Sequence, residues 1–175
     1  MFENTHQTPP NFRPSISVVD NNTQWINPKP PWFKINMDGA VFAQQHASGV
    51  GVVICDHEGL VVAALSKKLW YPLGPLEAEA KAMEEAVEFA WHVGIRDAHF
   101  ECDSILVSDA VRGLTIPQVS ISNIIYGTCH RLEVFCYVKF SHDKQEGNKP
   151  AYILAQYAKG LDSYVTLGRE KSSSH

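Results

Sequence analysis

Three acidic side chains stand at the ends of predicted secondary-structure elements, and together they could bind a divalent cation. Asp38 closes a strand that is predicted from Trp32 onwards, and Gly39 after it predicts a turn, because glycine tolerates turn conformations. Asp103 follows another predicted strand, and Glu79 belongs to a predicted helix. Carboxylate oxygens are the ligands that Mg²⁺ and Mn²⁺ prefer. Three acids that converge would therefore form a metal site, and a pair of such ions can clamp the attacking and leaving oxygens of a phosphodiester.

Glu79 is distinguished from its neighbours by the helical periodicity of residues 76–93. At about 100° per residue, it falls in the middle of an apolar stripe. The other charged residues near it fall on the opposite face, where they can pair and stay hydrated: Glu77, Lys81, Glu84 and Glu88. An acid on a buried face needs a partner, because burying a charge alone is costly.

Each of the three acids also has an explanation that needs no metal. Asp38 could form the predicted turn, and Asp103 with Ser104 could cap the helix that follows. Glu79 could be an acid that is tolerated near the positive end of the helix dipole. The residue types and their spacing leave both explanations open.

The elements that must position these acids follow one another as three strands, a helix, a strand, helices, a strand and a helix. The first three strands, predicted over 32–40, 48–55 and 60–66, are joined by short loops and form an antiparallel meander. The next strand is reached through a helix, so it should be parallel to its partner. The later elements are a strand at 98–102, a helix at 105–112, a helical stretch opened by Pro117, a strand at 134–140 and a helix opened by Pro150. We predict a mixed five-stranded α/β sheet flanked by helices.

Length and composition favour one domain with additional terminal segments. The chain has 175 residues, of which 45% are hydrophobic, and this is ample for a core. Residues 1–31 are rich in proline and are predicted to be a flexible tail or linker. Residues 32–160 form the predicted domain, and 161–175 are predicted to be a polar C-terminal tail.

Charge and cysteine spacing limit the partners that the chain can have. The net charge is −4, and no cationic cluster stands between Gly94 and Val134, so a nucleic acid would have to be contacted locally. The four cysteines form no zinc pattern and are interpreted as buried, reduced thiols of an intracellular protein, nuclear or cytoplasmic. We find no secretion signal and no apolar run that could span a bilayer, so we expect no membrane partner. We expect a monomer.

Residues 32 to about 159 resemble the type 1 ribonuclease H fold. They are most similar to the reverse-transcriptase-like ribonuclease H domains of plants, which are of retrotransposon descent. The resemblance rests on motifs that match in order and spacing: Trp32 to Ala40, Gly49 to Ile54, Leu76 to Ala82, Glu101 to Ser104, and His142 through Asn148 to Leu154 and Ala155.

The resemblance implies a metal-dependent nuclease. The family cleaves the RNA strand of RNA–DNA hybrids with two Mg²⁺ ions that four acids hold. Asp38, Glu79 and Asp103 resemble the first three of these acids. His142 resembles the loop histidine that assists proton movement and product release.

The chain departs from the family at the fourth acid. Asn148 resembles the asparagine that opens the last helix, and we expect Asn148 and Ser104 to bind the substrate. Tyr152 stands four residues after Asn148, where the family has an aspartate. A tyrosine cannot serve as a carboxylate ligand at neutral pH. Asp143 and Glu146 lie nearby in the sequence and could compensate.

Two functions are therefore open. The leading prediction is a hydrolase, an endonuclease that cuts RNA–DNA hybrids with Mg²⁺ or Mn²⁺ and leaves a 3′-hydroxyl and a 5′-phosphate, as the family implies. The alternative is a catalytically inactive ribonuclease H-like module that binds nucleic acid or protein. The three acids favour the enzyme, whereas Tyr152 and the acidic net charge favour the module.

Overall fold

The computed structural model describes residues 27–142 and 147–168. The strands are β1 (Phe33–Phe42), β2 (Ala47–Cys55), β3 (Val61–Leu69), β4 (Asp97–Cys102), β5 (Tyr137–His142) and β6 (Tyr164–Gly168). The helices are α1 (Pro75–His92), α2 (Ile105–Val111), α3 (Ser122–Leu132) and α4 (Lys149–Tyr157), with short 3₁₀ turns at Ala43–Gln45 and Ala158–Gly160.

The strands form one mixed sheet in the order β5-β4-β1-β2-β3-β6. β1, β2 and β3 pair in antiparallel fashion, whereas β4 pairs in parallel with both β1 and β5. The predicted mixed α/β fold, with an antiparallel meander followed by parallel strands, is confirmed. This order makes β1 and β4 neighbours, so Asp38 within β1 and Asp103 just after β4 come close together.

The sheet has a sixth strand where the sequence predicted a polar tail. β6 pairs with β3 in antiparallel fashion, with Thr166 opposite Leu65. All five residues of β6 are exposed. The strand therefore lacks the alternation of buried and exposed residues from which strands are predicted, and pairing with the β3 backbone accounts for it. Residues 1–26, most of the predicted N-terminal tail, lie outside the described residues.

The predicted turn after Asp38 is wrong, because β1 continues to Phe42. Gly39 is required for a different reason. A Cβ atom at Gly39 would lie 2.5 Å from the backbone carbon and oxygen of Ala78 in α1. Glycine therefore lets the helix that carries Glu79 lie directly against the strand that carries Asp38.

Helices cover the two faces of the sheet differently. α1 packs on β1 and β2 through small and apolar side chains, and the main core lies between the sheet, α1, α2 and α3. α4 packs on the opposite face, where a Cβ atom at Gly51 would collide with the backbone oxygen of Ala151. A smaller apolar cluster around Phe42 and Ala155 fills that contact.

Several smaller predictions need correction. The helix predicted from Pro117 begins at Ser122, and the strand predicted from 134 begins at Tyr137. His142, predicted in a loop, is the last residue of β5. All four cysteines are free thiols. The prediction that they are buried is right for Cys55 and Cys102 and wrong for Cys129, which is partly exposed, and for Cys136, which is exposed.

Candidate metal centre

Three carboxyl groups converge where β1 passes the end of β4. One carboxyl oxygen from each of Asp38, Glu79 and Asp103 lies within 4.8 Å of the other two. Asp38 comes from β1, Glu79 from the first turns of α1, and Asp103 from the residue after β4. We call these three residues the acid cluster. Sequence reasoning selected all three, and the fold brings them together.

Burial and mutual repulsion keep a proton in the acid cluster. Burial raises the pKa of Glu79 to about 9, and the charges of Asp38 and Asp103 add to this rise. Burial, followed by the charge of Asp103, raises the pKa of Asp38 to about 6. The carboxyl groups of Glu79 and Asp38 share a hydrogen bond, which the protonated Glu79 donates. A cation that binds here would have to displace this proton.

The acid cluster has the chemistry of a site for a hard cation. Glu79 Oε2 is buried and has no hydrogen-bond partner among the described residues. A buried oxygen without a partner is costly, and a bound cation would satisfy it. All the donors are carboxylate oxygens, the set that suits Mg²⁺ or Mn²⁺.

Ser104, and not Asp103, caps the helix after β4. Ser104 Oγ accepts a hydrogen bond from the backbone N–H of Val107 at 3.4 Å, and Ser104 is the N-cap residue of α2. Ser104 therefore makes the helix cap that could have explained Asp103 without a metal. The carboxyl group of Asp103 remains available to the acid cluster, and the predicted substrate contact of Ser104 stays a prediction.

His142 lies beside the acid cluster and is held by it. Its Nε2 atom is 2.9 Å from the backbone oxygen of Asp103. Because a carbonyl oxygen can only accept, Nε2 carries the hydrogen and Nδ1 is left as the second ring nitrogen. The role predicted for His142 in proton movement stays a prediction.

Asn148 connects α4 to β1 next to Asp38. Its Nδ2 atom donates to the backbone oxygen of Met37 at 2.8 Å, and the residue is 2% exposed. This contact fixes the start of α4 against the strand that carries the first acid. The substrate contact predicted for Asn148 stays a prediction.

Tyr152 does not bring a fourth acid to the cluster. Its side chain is 52% exposed on α4. Asp143 and Glu146, which could compensate, lie outside the described residues. Within the described part of the chain, the acid cluster thus consists of three carboxyl groups.

A cleft of about 440 Å³ opens beside Glu79. The residues that line it come from β1, from the start of α1, from the α2 cap and from α4: Gly39, Ala40, Val41, Pro75, Leu76, Ala78, Glu79, Ser104 and Gln156. Nothing in the sequence indicates Gln156, because only the packing of α4 brings it to the cleft. Tyr152 lies one helical turn before Gln156, on the same side of α4. The cleft reaches the acid cluster at Glu79.

The strand order, the helices on both faces and the acid cluster define a protein with the ribonuclease H-like fold. The chain belongs to the Reverse transcriptase-like family, whose model matches residues 36–158. Comparison with curated proteins finds no match. None of the described helices is long and apolar enough to cross a bilayer.

Solved structures of ribonucleases H share this fold. Ribonuclease H1 from the halophilic archaeon Halobacterium salinarum is 23% identical with a TM-score of 0.69, and the match covers 73% of this chain and 97% of that one. The N-terminal ribonuclease H domain of a Mycobacterium tuberculosis protein is 19% identical with a TM-score of 0.66, over 73% and 92% of the two chains. LC11-RNase H1, isolated from compost and solved in complex with an RNA/DNA hybrid, is 22% identical with a TM-score of 0.65, over 72% and 95%.

Proposed function

We propose that this chain is a metal-dependent ribonuclease that hydrolyses the RNA strand of RNA–DNA hybrids. The observation that carries the proposal is the acid cluster, in which Asp38, Glu79 and Asp103 converge and a buried oxygen of Glu79 has no partner among the described residues. The likeness to LC11-RNase H1, whose structure contains an RNA/DNA hybrid, supports the choice of substrate. The cleft beside Glu79 offers this substrate a path.

The residues of the acid cluster would hold the cation, and their neighbours would control protons. When bound, Mg²⁺ or Mn²⁺ supplies an activated water and neutralises charge on the phosphate. Glu79 must give up its proton to become a ligand, because its pKa is raised to about 9. His142, fixed through Nε2 on the Asp103 carbonyl, presents Nδ1 as the atom that can take or give a proton.

Tyr152 limits how many ions the chain can hold. A phenol stays protonated at neutral pH and is a poor magnesium ligand. We therefore propose that the three acids hold one ion firmly and a second ion only weakly. Cleavage should then be slow and should depend steeply on the concentration of the metal.

The test is cleavage of a labelled RNA–DNA hybrid in Mg²⁺ and, separately, in Mn²⁺. Asp38→Asn should reduce the rate by more than about a hundredfold, because it removes the most buried acid of the cluster. Asp109→Asn, on α2 outside the acid cluster, is the control and should cleave like the unsubstituted chain. If cleavage survives Asp38→Asn, a contaminant or another site is responsible.

The second candidate function is a binding module without turnover. Tyr152 in place of an acid and the net charge of −4 favour it. The test is binding of the same hybrid in EDTA over a range of salt concentrations, because phosphate contacts weaken as salt rises. Salt-dependent binding without cleavage in either metal supports a module that binds nucleic acid, and no binding at low salt counts against any nucleic-acid role.

A further inference from the structure

A row of buried and partly buried polar side chains crosses three strands beside the acid cluster. Asn36 in β1, Glu101 in β4 and Ser141 in β5 are register partners. Asn36 Nδ2 donates to Glu101 Oε2 at 3.2 Å, and Ser141 Oγ donates to Glu101 Oε1 at 3.1 Å. We call these three residues, with Lys34 and His99, the polar row.

A lysine and a histidine complete the polar row. Lys34 Nζ lies 2.9 Å from Glu101 Oε2, and these two side chains are only 5% and 9% exposed. His99 Nε2 lies 2.8 Å from Ser141 Oγ, whose own hydrogen goes to Glu101, so the histidine donates. Burial lowers the pKa of His99 to about 4, which leaves the ring neutral at physiological pH. Both carboxylate oxygens of Glu101 are therefore occupied by donors.

Most of the polar row lies on β1 and β4, just before Asp38 and Asp103 in the sequence. Asn36 stands two residues before Asp38, and Glu101 stands two residues before Asp103. Asn36 and Glu101 are also the last registered pair between β1 and β4. The backbone pairing of β1 and β4 ends at this pair, and Asp38 and Asp103 each follow two residues later. The side-chain contacts therefore join the strands at the last point before the acids.

The acid cluster needs such a restraint because its charges repel one another. One carboxyl oxygen of each acid lies within 4.8 Å of the other two, and like charges at this distance repel one another. This repulsion acts to separate β1 at Asp38 from the end of β4. A buried ion pair is seldom the most stable way to fill a core, since apolar side chains do as well or better. Its better-supported use is to fix one arrangement of neighbouring elements.

We propose that the polar row positions the acid cluster. Glu101 and Asn36 act as positioning residues that set the spacing of Asp38 and Asp103, and through this spacing they set the affinity for a divalent cation. This inference rests on the proposed function of the acid cluster as a cation site. It assigns a part in cation binding to residues that do not belong to the acid cluster.

The experiment replaces the ion pair by apolar side chains of similar length. The double variant Lys34→Met with Glu101→Met leaves no unpaired charge in the core, and it keeps all three acids. We expect its affinity for Mn²⁺, measured by titration calorimetry, to fall by about tenfold or more. A second double variant, Lys34→Met with Glu101→Gln, keeps one side-chain oxygen at position 101 that can accept a hydrogen bond from the polar row. Its affinity for Mn²⁺ should lie between those of the first double variant and the unsubstituted chain.

The matched control is the ion pair of Lys67 in β3 and Glu85 in α1. Their charged atoms lie 2.8 Å apart, and Glu85 is as buried as Glu101, but neither residue belongs to the acid cluster or the polar row. Lys67→Met with Glu85→Met should bind Mn²⁺ within about twofold of the unsubstituted chain. Equal affinity of the polar-row variant and the unsubstituted chain, or an equal loss in the control, would overturn the inference.

Amide hydrogen exchange without metal separates failure of this inference from failure of the proposed function. The polar-row variant should exchange faster at residues 37–40 and 102–104, and the control should not. If the unsubstituted chain takes up no Mn²⁺, the proposed function fails, while faster exchange confined to these residues still supports the positioning. Unchanged exchange there overturns the positioning.

Discussion

The raised pKa of Glu79 predicts that the metal-free protein becomes less stable as the pH rises. Glu79 titrates at about 9 in the folded chain against an ordinary value of 4.5. Below pH 4.5, both the folded and the unfolded chain hold the proton, and the stability is at its full value. Between these two values the unfolded chain loses its proton while the folded chain keeps it, so stability falls with pH and levels off above about 9.

Glu79→Gln removes this dependence and imitates the protonated acid. The amide can donate to Asp38 as the protonated carboxyl group does. Each pH unit inside the window costs about 1.4 kcal/mol. Between pH 5 and pH 8, the unsubstituted chain should therefore lose up to about 4 kcal/mol that the variant keeps. This is a large share of the total stability of a domain, which is about 5–15 kcal/mol.

The assay is urea denaturation in EDTA at pH 5 and at pH 8. Glu88→Gln, on the outer side of α1, is the matched control and should keep the pH dependence of the unsubstituted chain. Adding Mg²⁺ at pH 8 should stabilise the unsubstituted chain by mass action and leave Glu79→Gln nearly unchanged. The same pH dependence in Glu79→Gln and the unsubstituted chain would refute the reasoning.

Two further predictions concern the fourth acid position and the contact between β1 and α1. Tyr152→Asp adds a carboxylate where the resemblance expects one, and because the side chain is half exposed the cost in stability is at most about 0.5 kcal/mol. Its initial cleavage rate in Mg²⁺ should rise about tenfold or more, and an unchanged rate would show that position 152 does not reach the site. Gly39→Ala should lower the free energy of unfolding in urea by about 2 kcal/mol or more, because its Cβ atom meets the α1 backbone at Ala78. Gly127→Ala, whose Cβ atom meets only the end of Arg131 at 3.3 Å, should raise that free energy by about 0.5–1 kcal/mol; a loss of equal size in both variants would contradict the steric explanation.

The periodic part of the fold could be predicted because burial follows the spacing of apolar residues. The wheel of α1 placed Glu79 on the buried side, and one of its carboxyl oxygens is indeed buried. Gly94 after α1 has a positive φ of 90°, as expected of a residue that ends a helix. β6 could not be predicted in this way, because all of its residues are exposed and only the β3 edge gives them partners.

The sequence indicates the polar row in part. Lys34 and Asn36 share the parity of Asp38 in β1, and His99 and Glu101 share the parity of Asp103 at the end of β4. Polar residues that alternate through two central strands indicate a polar network between them. Which of them would pair depends on the parallel register of β1 and β4, and a single sequence does not contain that register.

The sequence by itself determined the class of fold and identified the three acids as candidates, because periodicity and residue type are local properties. It also placed Tyr152 at the position where the resemblance expects a fourth acid. Only the tertiary structure decided that Gly39 serves close packing in place of a turn, and that Ser104 caps α2 and leaves Asp103 available. These outcomes depend on distances between β1, β4, α1 and α4, which are far apart in the chain and meet only when the sheet forms.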